Sequence, residues 1–480
     1  MDCRPVSMVE DRGLVEVLQT ASSDAAYKPP SRSTIVSKIH QLYDTEKKSK
    51  LDVVAGAQYI ALTGDHWTSV SNHSYLGVTA HFIDSEWKLT SFALTMRKTD
   101  TRHSADACAD QFLSVAEAWQ VQQKITTVST DGARYMVAAS KRLPYEHMPC
   151  IAHMLQRSIT VCLADKGFCD ALAKCRKIVG HFKHSPANTE ELHQQQKQVG
   201  QQTEHLIQDV STRWNSTLAM ISRLLKNQEA IKATLSRQKH KLVMLTASEW
   251  DKLKKLETLL EPCRYVTELL GGETYVSCSV VLPAFCHLYR TMEVSEEDPA
   301  YIERFKTAFK KDLLERQKTL NNRWLKIASA LDPRFKDLKH LPKGEREEVW
   351  TSLEVLLQNE PSRTTSKPLE EPAKKRSLLF LTSDSESDDD VIGLNRVLNR
   401  YKAEPSICME ACPLQWWSTH AGAHQELSVL ACKYLASPAT SVPCERLFSL
   451  AGNIVQKRRA ALASENVDKL VCLSNWLREA

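Results

Sequence analysis

Between residues 55 and 97 the apolar positions fall into three short runs, AQYIALTG, YLGVTAHFI and KLTSFALTM, broken by SNHS and DSE. Breaks this short join antiparallel neighbours. A helical period then takes over from about Ser104 to Gln120, with Ala105, Cys108, Phe112, Val115, Ala116 and Trp119 on one side. KITTVSTDG follows as a fourth strand ending in Asp131 and Gly132. Three antiparallel strands, a helix and a further strand open a mixed α/β sheet. Upstream, SRSTIVSKIHQLYDTEKKSKLDVV reads as a helix with Ile35, Ile39, Leu42 and Tyr43 on one face.

Past Ala133 the strand signals fade. EWDKLKKLETLLEPCRYVTELL and YIERFKTAFKKDLLERQKTL carry a strong helical period, and most of 134 to 350 reads the same way. Residues 360 to 390 break the pattern with Pro, Ser and charge, ending in the acidic SDSESDDD. The end of the chain is again helical and aromatic. The division expected is a helical segment at 1–50, the first part of the sheet core at 51–160 and a helical insertion at 161–360. A disordered linker at 361–391 and a C-terminal region at 392–480 that completes the core follow.

Composition changes this picture little. The chain has 480 residues, 42% of them hydrophobic and 25% charged, the balance of an ordinary globular protein with more than one domain. The net charge of +5 is too small to argue for nucleic acid by itself. No apolar run reaches the roughly 18 residues of a membrane span, and the first residues do not form a secretory signal. Fourteen scattered cysteines without such a signal read as reduced thiols of the cytosol or nucleus. No C-x2-C pair is present, so the common zinc-finger pattern is missing.

The chemistry lies in the acids. Asp65 ends the first strand and Asp131 the fourth, and adjacent strands would bring both carboxylates together. Two such groups repel, and a divalent cation with a preference for oxygen ligands relieves that. A third acid on a helix packed over the sheet completes a site for phosphoryl transfer. Glu445 is the candidate, in SPATSVPCERLFSLAGNIVQKRR, where Thr440 or Ser441 caps a helix, Pro443 fits its first turn and Gly452 ends it. The plain alternative is that each aspartate is a turn former and Glu445 a favourable early-helix acid.

The segment 437–477, SPATSVPCERLFSLAGNIVQKRRAALASENVDKLVCLSNWL, resembles the C-terminal dimerisation region of hAT-family transposases and of host proteins derived from them. TGDHWTS (63–69), VSTDGA, CIAHMLQRSI (150–159), DVSTRWNST (209–217) and LDPRFK (331–336) agree in order, so the resemblance runs over about 30–480. It is nearest to the group with a BED-type zinc finger, although no finger pattern occurs in 1–60. The resemblance implies α/β plus all-α: a ribonuclease-H-like mixed sheet interrupted by a large helical insertion, with a helical C-terminal dimerisation region. It implies catalytic and metal-binding roles for Asp65, Asp131 and Glu445, with Mg²⁺ or Mn²⁺ as cofactor if the protein is active. It matches Cys150 and His153 to a C-x2-H pair that supports the site or packs, zinc being the lesser alternative. It matches Arg213 and Trp214 to a DNA-binding pair whose aromatic stacks on an extruded base. A core tryptophan is the equal alternative there.

Ten large apolar residues (Trp416, Trp417, Leu427, Leu430, Tyr434, Leu447, Phe448, Leu470, Leu473 and Trp476) are too many for a short helical tail to bury alone. The expectation is that they pack on the catalytic core and on a second subunit, giving a homodimer with Leu447, Phe448, Leu470, Leu473 and Trp476 at its interface. SLLFLTSDSESDDD (377–390) would suit a SUMO-like partner by strand addition, or simply form a buried strand beside an acidic linker. KKSK (47–50), AKKRS (373–377) and QKRRA (456–460) are short basic clusters for phosphate or nuclear import, or solvated faces. The leading reading is a transposase-derived nuclear protein that homodimerises and binds DNA weakly without its finger, in transcriptional regulation. A metal-dependent transposase or nuclease and a protein-interaction scaffold are the alternatives.

Overall fold

The computed structural model describes residues 5–99, 104–210, 213–238, 240–272, 275–359, 388–455 and 463–477. Its sheet has five strands, β1 (Ile60–Thr68), β2 (Ser74–Ile83), β3 (Leu89–Thr99), β4 (Ile125–Thr130) and β5 (Glu146–Pro149), in the order β3-β2-β1-β4-β5. β1, β2 and β3 pair antiparallel as successive hairpins. β4 lies parallel to β1, and β5 parallel to β4. Parallel partners need a crossover, which the helix Ala105–Ala118 supplies between β3 and β4. Ser104 caps that helix by accepting from the Ala107 N–H. The short β5 is a departure from expectation: four residues ending in proline carry no alternation to read.

Two apolar cores result. The sheet core gathers Ile60, Leu62, Val78, Phe82, Phe92, Phe112, Trp119 and Val128. Gly64 is a socket in it, because a Cβ there would overlap the Phe112 ring. The upstream helix runs Arg32–Gly56 and adds Tyr43 and Val54 to this core, while Leu42 is exposed. The second core is helical and holds, among others, Leu155, Ile178, Ile221, Leu256, Phe285, Phe309, Ile327 and Leu353.

The C-terminal region divides between these cores instead of forming one block. Helices Asp388–Ala403, Pro413–His420 and Gln425–Leu435 pack into the helical core through Leu398, Tyr401, Trp417, Leu427 and Leu430. Helices Val442–Ile454 and Ser464–Trp476 join the sheet core. The LDPRFK segment fastens the first group. Lys336 is 2% exposed and its ammonium donates to the Tyr401, Lys402 and Glu404 carbonyls at the end of the helix Asp388–Ala403. Trp417 Nε1 donates to the Leu331 carbonyl at 2.9 Å, and Tyr401 Oη to that of Ala330 at 3.1 Å.

The last helix covers the open edge of the sheet. Asn475 Oδ1 accepts from the Ala93 N–H of β3 at 2.7 Å, and Trp476 Nε1 donates to the Ala93 carbonyl at 2.8 Å. Tyr43 stacks on Trp476 with centroids 5.3 Å apart. Leu447, Leu473 and Trp476 are buried inside the chain itself, so of the two covers expected for them, the core and a second subunit, the core is enough. Phe448 and Leu470 are half-buried against the same core. The expected linker falls outside the described residues up to 387, and the backbone is helical from Asp388. The strand candidate at 377–387 and the basic clusters at 373–377 and 456–460 also lie outside the described residues. No helix among the described residues is long and apolar enough to cross a membrane.

Candidate active site

Strand register brings the two aspartates together. Thr63 of β1 pairs with Ser129 of β4 in parallel, and each aspartate lies two residues further on. Asp65 and Asp131 therefore lie on the same face towards the same end of neighbouring strands. Asp131 is just past the last residue of β4, and Asp65 is still inside β1, which pairs on to Thr68 and so corrects the expectation that Asp65 ends its strand. Asp65 is 7% exposed, and its carboxyl is pushed up to about 7, chiefly by burial and then by the charge of Asp131. Glu445 adds to this, while His153 and the His66 N–H oppose it. Asp131 accepts from the Ala133 N–H at 3.1 Å, a turn contact of the kind read from the sequence.

The helix Val442–Ile454 places Glu445 in its first turn, across the sheet from these strands. Gly77 makes this docking possible: it is the cross-strand partner of Asp65, and a Cβ there would stand 2.8 Å from Phe448 Cε1. Phe448 stacks on Trp67, and Cys444 Sγ lies 3.1 Å from Thr63 Oγ1. A buried polar row continues beneath through Thr63, Thr79 and His81. Two details of the helix differ from expectation. Ser441 is the N-cap without a side-chain capping bond, and the helix runs through Gly452 to Ile454.

Cys150 and His153 sit beside Glu445. Cys150 Sγ accepts from the Ser441 N–H at 3.2 Å and lies 3.5 Å from His153 Nδ1. His153 Nδ1 is in turn 3.9 Å from Glu445 Oε1. The ring is held well above its ordinary pKa by the bond to Cys150, with the Asp65 and Glu445 charges in the same direction. His147, the nearest further nitrogen donor in the sequence, is bonded to Thr130 Oγ1 at 2.9 Å and held down at about 4 by burial.

Trp214 is 2% exposed in the helical core, so the base-stacking role is corrected to the core alternative. Its N–H donates to Gln156 Oε1 at 2.8 Å, which docks the exposed Arg213 onto the helix Ile151–Leu163 that carries His153. Two residues near the site were not singled out from the sequence. Arg157 is exposed one helical turn beyond His153, with Nη1 4.0 Å from the position of a Gly132 Cβ. Tyr135 packs edge-on to His66 at 5.8 Å, and its hydroxyl is held protonated by burial and by Asp131 and Asp65. The four-residue spacing from His153 was a signal for Arg157; nothing in the sequence marked Tyr135.

Three carboxylates with oxygen donors only, one of them buried among like charges, are a donor set suited to a hard divalent cation. Among the described residues no three His, Cys, Asp or Glu groups already stand where they could hold one ion together. Glu445 is drawn to His153 instead, so a bound ion would have to compete with that contact.

A mixed sheet of this order with acids on two adjacent strands and a third on a helix packed over it is an RNase-like core with a helical insertion. The ZBED1 RNase-like domain model matches residues 63–163, and the ZBED1 RNase-like helical domain model matches 148–259. The hAT family C-terminal dimerisation region matches 397–477. The chain is related to the hAT transposases and to BED zinc finger proteins that share their core. It is 25% identical to the maize "Putative AC transposase" over 98% of this chain and 63% of the relative. It is 23% identical to human "Zinc finger BED domain-containing protein 4" over 98% of this chain and 42% of that protein. Identity is 24% to the Talaromyces stipitatus "Putative transcriptional regulator tpeD", over 96% of this chain and 58% of the relative. The chain thus spans about two-fifths to two-thirds of the length of these relatives.

Proposed function

We propose that this chain is a transposase-derived nuclear protein that forms homodimers and associates with DNA, in transcriptional regulation. The observation that carries the reading is the continuous likeness to hAT relatives over 98% of the chain, through sheet, insertion and dimerisation region. The relatives' names, a transposase and a transcriptional regulator, support action on DNA. The expected homodimer uses surface outside Leu447, Leu473 and Trp476, since these are already buried. Light scattering of the purified chain tests the dimer, and fluorescence anisotropy with duplex DNA across a salt series tests the association. A monomer at micromolar concentration, or no binding at 50 mM salt, would overturn the corresponding half. Protein partners without DNA binding would favour a scaffold.

A second reading, metal-dependent cleavage or transfer of DNA strands, is favoured by the burial of Asp65 beside Asp131 and Glu445. Asp65, Asp131 and Glu445 would hold Mg²⁺ or Mn²⁺, which supplies charge stabilisation at a phosphoryl oxygen. Arg157, exposed beside Gly132, would orient the phosphodiester backbone, and Arg213, also exposed, would contact it further from the carboxylates. The test is nicking of supercoiled plasmid with either cation, wild type beside Asp65→Asn and Glu445→Gln. Nicking by the wild type alone upholds this reading. Equal activity in all three, or none from folded protein, ends it.

A further inference from the structure

The acid on the C-terminal helix depends on a short connector, Ser437–Ser441, that is stitched between the two cores. On the sheet side, Ser437 Oγ lies 2.9 Å from Thr127 Oγ1, and the Pro438 carbonyl accepts from Ser129 Oγ at 3.2 Å. Thr127 and Ser129 belong to β4, the strand that ends at Asp131. On the other side, the Ala439 N–H donates to Ser277 Oγ at 3.0 Å, and Thr440 Oγ1 donates to the Leu270 carbonyl at 3.4 Å. The Ala439 carbonyl accepts from the Ile151 N–H at 3.1 Å, and the Ser441 N–H reaches Cys150 Sγ. Ser437, Thr440 and Ser441 are each at most 1% exposed, so these bonds have no water to replace them.

Ser277 is itself held from deep within the helical insertion. Its neighbour Ser279 donates to Asp332 Oδ2 at 2.6 Å, and Ser329 Oγ donates to the Ser279 carbonyl at 2.9 Å. Asp332 is fully buried and paired with Arg334 in the LDPRFK segment. A hydrogen-bonded path therefore runs from Asp332 through the Ser277–Ser279 turn to Ala439, two residues before the cap of the helix bearing Glu445.

We propose that Ser277 is a positioning residue for Glu445: the helical insertion sets the height of the third carboxylate over the sheet through the Ser277–Ala439 bond, with Thr127 setting it from the sheet side. The metal half of the test rests on the carboxylates binding a divalent cation; the exchange half does not. Ser277→Ala leaves the buried Ala439 N–H without its acceptor while removing only one oxygen. Ser277→Thr keeps the hydroxyl. Thr127→Val and Thr127→Ser form the matching pair if the added methyl at 277 does not fit.

The experiment measures amide hydrogen exchange of the peptide covering 437–445 and Mn²⁺ affinity by calorimetry, on the full chain. Ser277→Ala and Thr127→Val should speed exchange of that peptide and weaken Mn²⁺ binding about tenfold, the scale of an outer-shell contact. The hydroxyl-bearing variants should restore both. Unchanged exchange in both deletions overturns the proposal, and so, where the wild type binds Mn²⁺ more tightly than Asp65→Asn, does faster exchange with unchanged Mn²⁺ affinity. If the wild type binds Mn²⁺ no better than Asp65→Asn, the metal reading fails. Faster exchange at 444–445, reversed by Ser277→Thr, then still upholds the positioning.

Discussion

The two aspartates and the glutamate of the site arrive by different physical means. Asp65 and Asp131 are delivered by the parallel register of β1 and β4, a ladder of backbone bonds within one sheet. Glu445 is delivered by a connector whose bonds go to β4, to the helix at Ile151 and to the turn at Ser277. The first arrangement is local and stiff. The second needs the helical insertion to be folded and docked. A site built this way has a rigid half and a half whose geometry reports on the rest of the molecule.

Lowering the pH should strike the rigid half hardest. His81 is a buried residue of β2, opposite Ala61 of β1, and burial depresses its pKa to about 3. The unfolded chain takes up a proton near 6.5 that the folded chain refuses. The stabilisation is thus complete above about pH 6.5 and is lost progressively as pH falls towards 3. The loss should approach about 4 kcal/mol. His147, depressed to about 4, acts in the same direction. Asp65, held up at about 7, acts in the opposite sense over the same window, so the His81 effect is read as a difference. Between about pH 7.5 and 4 the urea midpoint of the wild type should fall relative to that of His81→Gln, and a difference between the two that does not change with pH would refute this.

Next in size is the socket at Gly64. Gly64→Ala should destabilise by about 2–3 kcal/mol through overlap with the Phe112 ring. Phe112→Leu should recover part of that in the double variant, a coupling that denaturation of all four proteins measures. Additive effects would mean that the ring and the strand do not meet as described.

The helical half is tested at Lys336. Lys336→Met should cost about 2 kcal/mol by leaving three buried carbonyls without their donor. Hydrogen exchange should rise first in the helices Asp388–Ala403 and Gln425–Leu435, with β1 and β4 unaffected. A uniform rise across the sheet would erase the distinction between the two halves. The smallest effect expected is at Arg157. Arg157→Ala should weaken DNA association by about 1 kcal/mol and flatten the salt dependence by about one phosphate contact. An unchanged salt slope would remove Arg157 from the interface.

Much of this fold was legible in the chain. Strands β1 to β4, the crossover helix and its apolar face follow from short apolar runs, their spacing and the helical period, all of which are set within a few residues. That Asp65 and Asp131 belong to β1 and to the end of β4 was legible for the same reason, whereas the continuation of β1 past Asp65 to Thr68 was not. β5 was not, since Glu146–Pro149 is too short to show a period and is a strand only because β4 lies beside it. The apolar C-terminal helices showed that something must cover them and not what. Trp476 and Leu473 are satisfied by the edge of β3. Trp214 shows the same limit, because a tryptophan reads alike whether it faces a core or a base, and only packing against the helix Ile151–Leu163 separates the two.

The amino-acid sequence by itself therefore determined which segments are strands and helices and which acids can meet, since period, caps and turns act over a few residues. Tertiary structure alone decided where Glu445 stands, which surfaces are left for a partner, and that Cys150, His153 and Ser277 hold the third acid in place. Those outcomes rest on contacts between residues more than a hundred positions apart, and no local pattern encodes them.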